Sequence, residues 1–240
     1  MKNSIVFMIQ RFIYILMGLF LLLSCQQEDL VQPQSPGFLS LDNVTVATSD
    51  VNSIQTKAGV DARFVIEIWK EGALYNNCKY EPGQTPSKIE LPAGSYQLKA
   101  YTSNYTSQGT VFAEGSLGEA IYYKEQSFVI EAEKVTYPAV SVPMINFGIC
   151  LKDDLPASFE NYTLDATIGD RTITLKPTEI GYFSDSAVGS SLSFTLRATN
   201  KDGEELEKKE TATNLRAGTI YEIVYSMATK SLDCEVLNKD

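Results

Sequence analysis

From Gly37 almost to the C-terminus, apolar residues recur at every second position or in short solid runs, and Gly, Pro, Asn and Asp close each run. A period of two is the signature of a strand with one buried face, and the abundance of β-branched and aromatic residues supports it. Phe38-Leu39-Ser40-Leu41, with Val44 and Val46, opens the series. Residues 63–70 (RFVIEIWK) place Phe64, Ile66 and Ile68 on one face and Val65 and Trp69 on the other. Trp69, the only tryptophan, is expected in the core. Strands are then expected at 89–91, 96–101, 123–130 and 135–142. A second series covers 145–151, 162–168, 171–175, 180–183, 192–199, 207–213, 220–227 and 232–236.

No stretch beyond residue 36 sustains a 3.6-residue period, so the pattern predicts an all-β protein. Short strands separated by turn signals at this spacing point to β-sandwiches. Each series holds enough strands for one sandwich, which predicts an N-terminal β-sandwich over 37–143 and a C-terminal one over 144–240. There is also an internal echo. Leu91-Pro92-Ala93-Gly94-Ser95-Tyr96 and Leu215-Arg216-Ala217-Gly218-Thr219 each set an Ala-Gly turn before an aromatic-bearing strand. Two related sandwiches would produce it, and so would one common turn used twice.

The first residues follow a different pattern. Lys2 and Arg11 precede the apolar stretch 12–23, which ends in Leu22-Leu23-Ser24-Cys25. About a dozen apolar residues suit the core of a secretion signal, whereas a membrane-spanning helix needs roughly 18–20. Reaching that length would bury Gln10 and Arg11. An apolar segment closed by a small residue and a cysteine is a lipoprotein signal. Residues 1–24 are therefore expected to be cleaved off, leaving Cys25 as the lipid-bearing N-terminus. Residues 25–36, polar and proline-bearing, read as a flexible tether. Glu28-Asp29, just behind the cysteine, resembles the export signal of Bacteroidetes lipoproteins, which implies display on the outer face of the outer membrane.

Charge then narrows the partners. The chain carries 20 basic and 30 acidic residues; without Lys2 and Arg11 the balance is 18 to 30. A surface this acidic repels nucleic acid and anionic headgroups, so the membrane contact must come from the acyl chains. Cys78, Cys150 and Cys234 remain after Cys25, and no pair of them has metal-ligand spacing.

The chain has no histidine. That excludes His-activated serine or cysteine nucleophiles and the common zinc hydrolase sites. No glycine-rich loop has phosphate-cradling spacing, and no calcium-loop run is present. The carboxylate pairs Asp153-Asp154 and Glu204-Glu205 read as solvated turns, because adjacent strand residues face opposite sides. The reading is non-enzymatic, with no cofactor, no metal and no catalytic residue.

Recognition fits better. Residues 101–123 (YTSNYTSQGTVFAEGSLGEAIYY) form a long segment, light in charge and rich in Tyr, Ser, Gly and Thr. Tyr105 and Phe112 are its candidate ligand-binding rings, expected to be partly exposed and able to stack on a sugar or a protein. Asp185-Ser186-Ala187 resembles the O-glycosylation sites of Bacteroidetes envelope proteins, with Ser186 as acceptor.

The ordered set GFLSLDNVTV (37–46), ARFVIEIWKEG (62–72), KIELPAGSYQLKAYTSN (88–104), IYYKEQSFVIEAEKVT (121–136), DDLPASFENYTLDAT (153–167), TEIGYFSD (178–185) and NLRAGTIYEIVYSM (214–227) resembles a Bacteroidetes lipoprotein family catalogued as a domain of unknown function. That resemblance implies two Ig-like or transthyretin-like sandwiches in tandem on a lipid anchor. The architecture is also similar to fimbrillins, lipoprotein pilus subunits in which proteolytic release of an N-terminal strand admits a donor strand. If this chain worked that way, release after Lys57 or Arg63 would free residues 38–46. The reading is a surface-exposed outer-membrane lipoprotein with an adhesive or structural role, a pilus-associated subunit being one form. The alternative is a glycan-binding lipoprotein of a polysaccharide-uptake system, for which exposed aromatics should cluster in one shallow platform. Expected partners are the membrane, through the lipid, and a host or bacterial surface protein or glycan.

Overall fold

A computed structural model of the chain describes residues 35–47 and 63–237. The signal, Cys25, Glu28-Asp29, all but the end of the tether, and Lys57 lie outside the described residues. The first half contains β1 (Pro36–Leu39), β2 (Val44–Val46), β3 (Phe64–Lys70), β4 (Ala73–Tyr80), β5 (Ile89–Pro92), β6 (Gly94–Thr102), β7 (Tyr123–Ile130), β8 (Val135–Thr136) and β9 (Val140–Val142). The second contains β10 (Phe147–Leu151), β11 (Phe159–Ile168), β12 (Arg171–Leu175), β13 (Ile180–Phe183), β14 (Leu192–Asn200), β15 (Glu205–Ala212), β16 (Thr219–Ser226) and β17 (Ser231–Val236). A short 3₁₀ turn spans Asp185–Ala187. The all-β sandwich reading holds.

Both halves use one pairing plan. In the first, one sheet runs β4-β3-β6-β7, and the facing layer runs β5-β1-β8 with the β2-β9 ladder extending it. In the second, the sheets run β12-β11-β14-β15 and β13-β10-β16-β17. β1 pairs antiparallel with β5 and parallel with β8, just as β10 pairs antiparallel with β13 and parallel with β16. The second half adds β17, antiparallel to β16, a flank that β8 lacks among the described residues.

Inward-facing side chains from both layers make each core. Leu39, Phe64, Ile66, Ile68, Leu91, Leu98 and Val142 anchor the first, Phe147, Ile149, Leu164, Ile173, Phe194 and Ile223 the second. The halves also share side chains across the seam. Tyr182 and Ile220 pack on the first core, and Leu117 packs on the second. β1 starts at Pro36, inside the segment read as tether. Cys150 is buried, while Cys78 and Cys234 are free and partly buried.

The echo resolves into a common turn. Leu91–Tyr96 connects the fourth and fifth strands of its plan, whereas Leu215–Thr219 connects the sixth and seventh of the other, so the two are not equivalent positions. The local physics is nonetheless the same. Gly94 (φ 151°) and Gly218 (φ 71°) adopt angles that a Cβ disfavours, and Leu91 and Leu215 are buried. In each case a buried tyrosine hydroxyl closes the turn. Tyr96 donates to the Pro92 carbonyl (2.9 Å), and Tyr221 accepts the Arg216 N–H (2.9 Å).

Candidate recognition surface

The alternation that buries Phe64, Ile66 and Ile68 turns Val65, Glu67 and Trp69 to the opposite face of β3. In β6, Tyr96, Leu98 and Ala100 face the core, so Gln97, Lys99 and Tyr101 face out. In β7 the outward set is Tyr123, Glu125, Ser127 and Val129. Trp69 is therefore not a core residue: it lies half-buried on the outer face, because Ile68 occupies the inward position next to it.

Register aligns these residues into rows across the sheet. The middle row reads Lys79, Glu67, Lys99, Glu125 across β4, β3, β6 and β7, with alternating sign. Tyr101 and Tyr123 are cross-strand partners on one side of it, and Trp69 stands opposite Gln97 on the other. A charged row is thus flanked by aromatic rings on both sides.

The rings are held. Glu67, with its side chain 13% exposed, accepts Trp69 Nε1–H (2.8 Å) and the Tyr101 hydroxyl (2.5 Å), and lies 3.7 Å from Lys79. Tyr123 donates to Glu125 (2.9 Å), and the Lys99 ammonium sits 3.6 Å from the Trp69 ring centroid. Burial first, and then these carboxylates, push the Tyr101 and Tyr123 hydroxyls well above the usual tyrosine range. Both therefore stay neutral donors.

Tyr105 joins this face from the loop after β6. Its ring stacks on Tyr123 (4.3 Å, 21°) and tilts against Tyr101 (5.5 Å). The loop is fixed there by its own polar contacts. Tyr105 N–H bonds the Thr102 carbonyl (2.8 Å), Asn104 Nδ2 donates to the Ala120 carbonyl (3.2 Å), and Thr110 Oγ1 donates to the Asn104 carbonyl (2.9 Å).

Phe112 goes elsewhere. It lies half-buried under the Arg171 guanidinium (5.2 Å to the ring centroid), which also faces Phe183 at 5.8 Å. A Cβ added at Gly118 would meet the Phe112 ring at 3.2 Å and the Tyr182 carbonyl at 2.8 Å, so ring, glycine and β13 are closely packed. Arg171 donates to the carbonyls of Ala113 (2.9 Å), Ser116 (2.7 Å) and Tyr182 (3.4 Å). The segment proposed from sequence thus divides: Tyr105 belongs to the aromatic face, and Phe112 clips the loop to the second half. Ser186 is exposed on the 3₁₀ turn, with its Oγ 2.8 Å from that of Ser184.

The carboxylate pairs show no catalytic geometry. Asp153 and Asp154 are exposed, the first accepting the Tyr162 hydroxyl and the second lying 3.7 Å from Lys152. Glu204 caps its own turn through Asn200 (2.8 Å). A cleft of about 450 Å³ near Thr102, Asn104 and Tyr122 contains one carboxylate, Glu119, and one cation, Arg63, among its lining groups.

The molecule is an acidic two-sandwich protein with an aromatic and charge-alternating outer face on its first half. The chain belongs to the family described as "Domain of unknown function (DUF4493)", which matches residues 35–235. No curated protein matches it. Among solved structures it is similar to a "putative adhesin" from Bacteroides ovatus ATCC 8483, at 10% identity over 90% of this chain and 98% of that one (TM-score 0.41). It is also similar to a "putative cell adhesion protein" from the same organism, at 11% identity over 85% and 96% (TM-score 0.44). Another "putative cell adhesion protein", from Bacteroides eggerthii DSM 20697, matches at 12% identity over 85% and 95% (TM-score 0.41).

Proposed function

We propose that this chain is a non-catalytic recognition module with an adhesive role, held by lipid on Cys25 and displayed at the cell surface. The observation that carries the reading is the outer face of β3, β6 and β7, where Trp69, Tyr101, Tyr105 and Tyr123 stand outside both cores on a rigid sheet. These rings bury most of their area against one another and the sheet yet keep an edge or face in water outside either core, which leaves them placed to meet a partner. The anchor rests on the 12–25 sequence, and surface display on Glu28-Asp29. An aromatic face at the end of a tether suits contact with another surface better than assembly into a polymer.

Adherence of cells producing the full chain to mucin-coated glass tests this. Cys25→Ala should release the protein to the medium and abolish adherence. Glu28→Ala with Asp29→Ala should leave it acylated but shielded from protease added to whole cells. Tyr105→Ala with Tyr123→Ala should stay anchored and exposed, yet lose most adherence. Wild-type adherence by that last variant would overturn the reading.

A further inference from the structure

We infer that the outer face of the β4-β3-β6-β7 sheet is a binding site for an uncharged oligosaccharide. This deepens the recognition reading above and rests on it. The first argument is charge. The chain has a formal net charge of −10, yet the central row of this face alternates Lys79, Glu67, Lys99 and Glu125 and sums to zero. Glu81, 3.9 Å from Lys79, closes the end of the row, so the face carries no surplus of cations to draw in a polyanion, whereas an uncharged ligand meets no such barrier. A polyanionic chain gains nothing there and is repelled by the rest of the molecule.

The second argument is the chemistry along the row. Ammonium donors and carboxylate acceptors alternate at strand spacing, and the Tyr101 and Tyr123 hydroxyls add groups that stay protonated. A sugar offers many hydroxyls, each both donor and acceptor; with Glu67 occupied by Trp69 and Tyr101, the exposed Glu125 would accept from them and the Lys79 ammonium would donate to them. The rings on either side supply what a sugar's C–H faces need. Lys99 resting on Trp69 shows that one face of that ring lies against an ammonium rather than against packed core.

Size is the third argument. The row crosses four strands about 4.8 Å apart, and Trp69 stands four residues along the strand from the level of Tyr101, so the charged and aromatic patch spans roughly 14 Å in each direction. A stable protein partner needs about 800 Å² on each side. The face suits a short run of sugar units lying across it. Because the rings are already held by Glu67, Glu125 and mutual stacking, little ordering remains to be done on binding.

Trp69 is the only tryptophan, so its fluorescence reports on this site alone. Purified full-length chain in detergent would be titrated with xylan, mannan and β-glucan oligosaccharides, and with polygalacturonate as the acidic comparison. At least one neutral oligosaccharide should shift Trp69 emission saturably, and polygalacturonate should not. Tyr105→Ala should weaken the response tenfold or more, whereas Tyr137→Ala, at an exposed ring elsewhere, should not change it. Retardation in gels containing the same polysaccharides gives a readout independent of fluorescence. No saturable response to any neutral sugar, tighter binding of polygalacturonate, or a Tyr105→Ala affinity within twofold of wild type would each overturn the assignment. Cells that still need Tyr105 and Tyr123 to adhere, with no sugar response, would remove the sugar but keep the recognition reading. Cells indifferent to those rings would remove both.

Discussion

The side-chain oxygen of Asn146 accepts the backbone N–H of Ile121 at 2.9 Å, and both residues are fully buried. The same amide donates to the carbonyls of Glu119 and Phe183, both at 3.0 Å, while the Asn146 backbone carbonyl accepts Gly218 N–H at 2.8 Å. One side chain therefore ties the end of the long loop to β13, and its backbone holds the turn before β16. The bonds to Ile121 and Phe183 are fully buried, where water cannot replace them.

Replacing Asn146 with Ala leaves the Ile121 N–H and two carbonyls without this partner. Each orphaned buried group costs about 1–3 kcal/mol, so the variant should lose at least about 2 kcal/mol in urea unfolding. Asn146→Asp should cost more, because it removes both donors and buries a charge. Stability within about 0.5 kcal/mol of wild type, the usual range of a surface change, would show that Asn146 is not a hub.

Arg171 clips the loop at residues 112–118 by planar geometry as much as by charge. Its fork reaches three carbonyls while its Cζ lies 5.2 Å from the Phe112 ring centroid and 5.8 Å from that of Phe183, an arrangement that a lysine cannot copy. Arg171→Lys should speed hydrogen exchange at the Tyr182 amide, which donates to the Leu117 carbonyl at 2.6 Å. The Tyr101 amide, in the middle of β6, should be unaffected. Equal protection at Tyr182 in both proteins would mean that the loop docks without the clip.

Tyrosine ionisation gives the fold an alkaline limit. Burial first, with Tyr75 adding to it, pushes the Tyr96 hydroxyl up to about 12, and burial with Glu67 raises Tyr101 further above its ordinary value. Raised values mean that the folded state favours the neutral form. The stabilisation is complete below about pH 10, where unfolded tyrosines are also neutral. As pH rises past that point the unfolded chain ionises first, and the stabilisation disappears as the folded values are passed. Unfolding free energy should thus be level at neutral pH and fall above about pH 10, with tyrosinate absorbance appearing as the chain unfolds. Glu67→Gln should lower the Tyr101 value without restoring it to the ordinary one, since burial is its largest cause.

Gly37 has no room for a side chain. A Cβ there would lie 2.2 Å from the Glu131 carbonyl oxygen and 2.8 Å from Ile130 Cγ2. Gly37→Ala should force β1 away from β7 and β8, costing about 1–3 kcal/mol. It should also expose 35–47 to protease before the rest of the chain. An unchanged melting temperature would mean that β1 shifts without cost.

Strands with a buried face were readable from the sequence. Those at 123–130, 171–175 and 180–183 occupy the bounds that their alternation predicts. β4 was not readable, because none of its side chains is fully buried and Asn76 and Asn77 take positive φ, so Ala73–Tyr80 carries no period. The run 135–142 divides at Tyr137-Pro138-Ala139 into β8 and β9, since proline cannot donate to a ladder. Trp69 shows the limit of alternation. The pattern places it opposite Ile68 but cannot say which face is covered. The recognition surface depends on register, which sets Glu67 against Lys99 and Tyr101 against Tyr123 across long sequence separations. Tyr105 was visible as an unexplained ring in a polar loop; its stacking partner was not.

β1 is gripped on both edges, by β5 through Pro36–Leu39 and by β8 at Phe38 and Leu39. Under the proposed function, with the chain anchored upstream of β1 and bound through its sheet face, any pull would reach the sandwich through this strand. A strand paired on one edge can be peeled away one hydrogen bond after another. A strand flanked on both must break two ladders together, so β1 is held on two sides at the very place where such a load would enter.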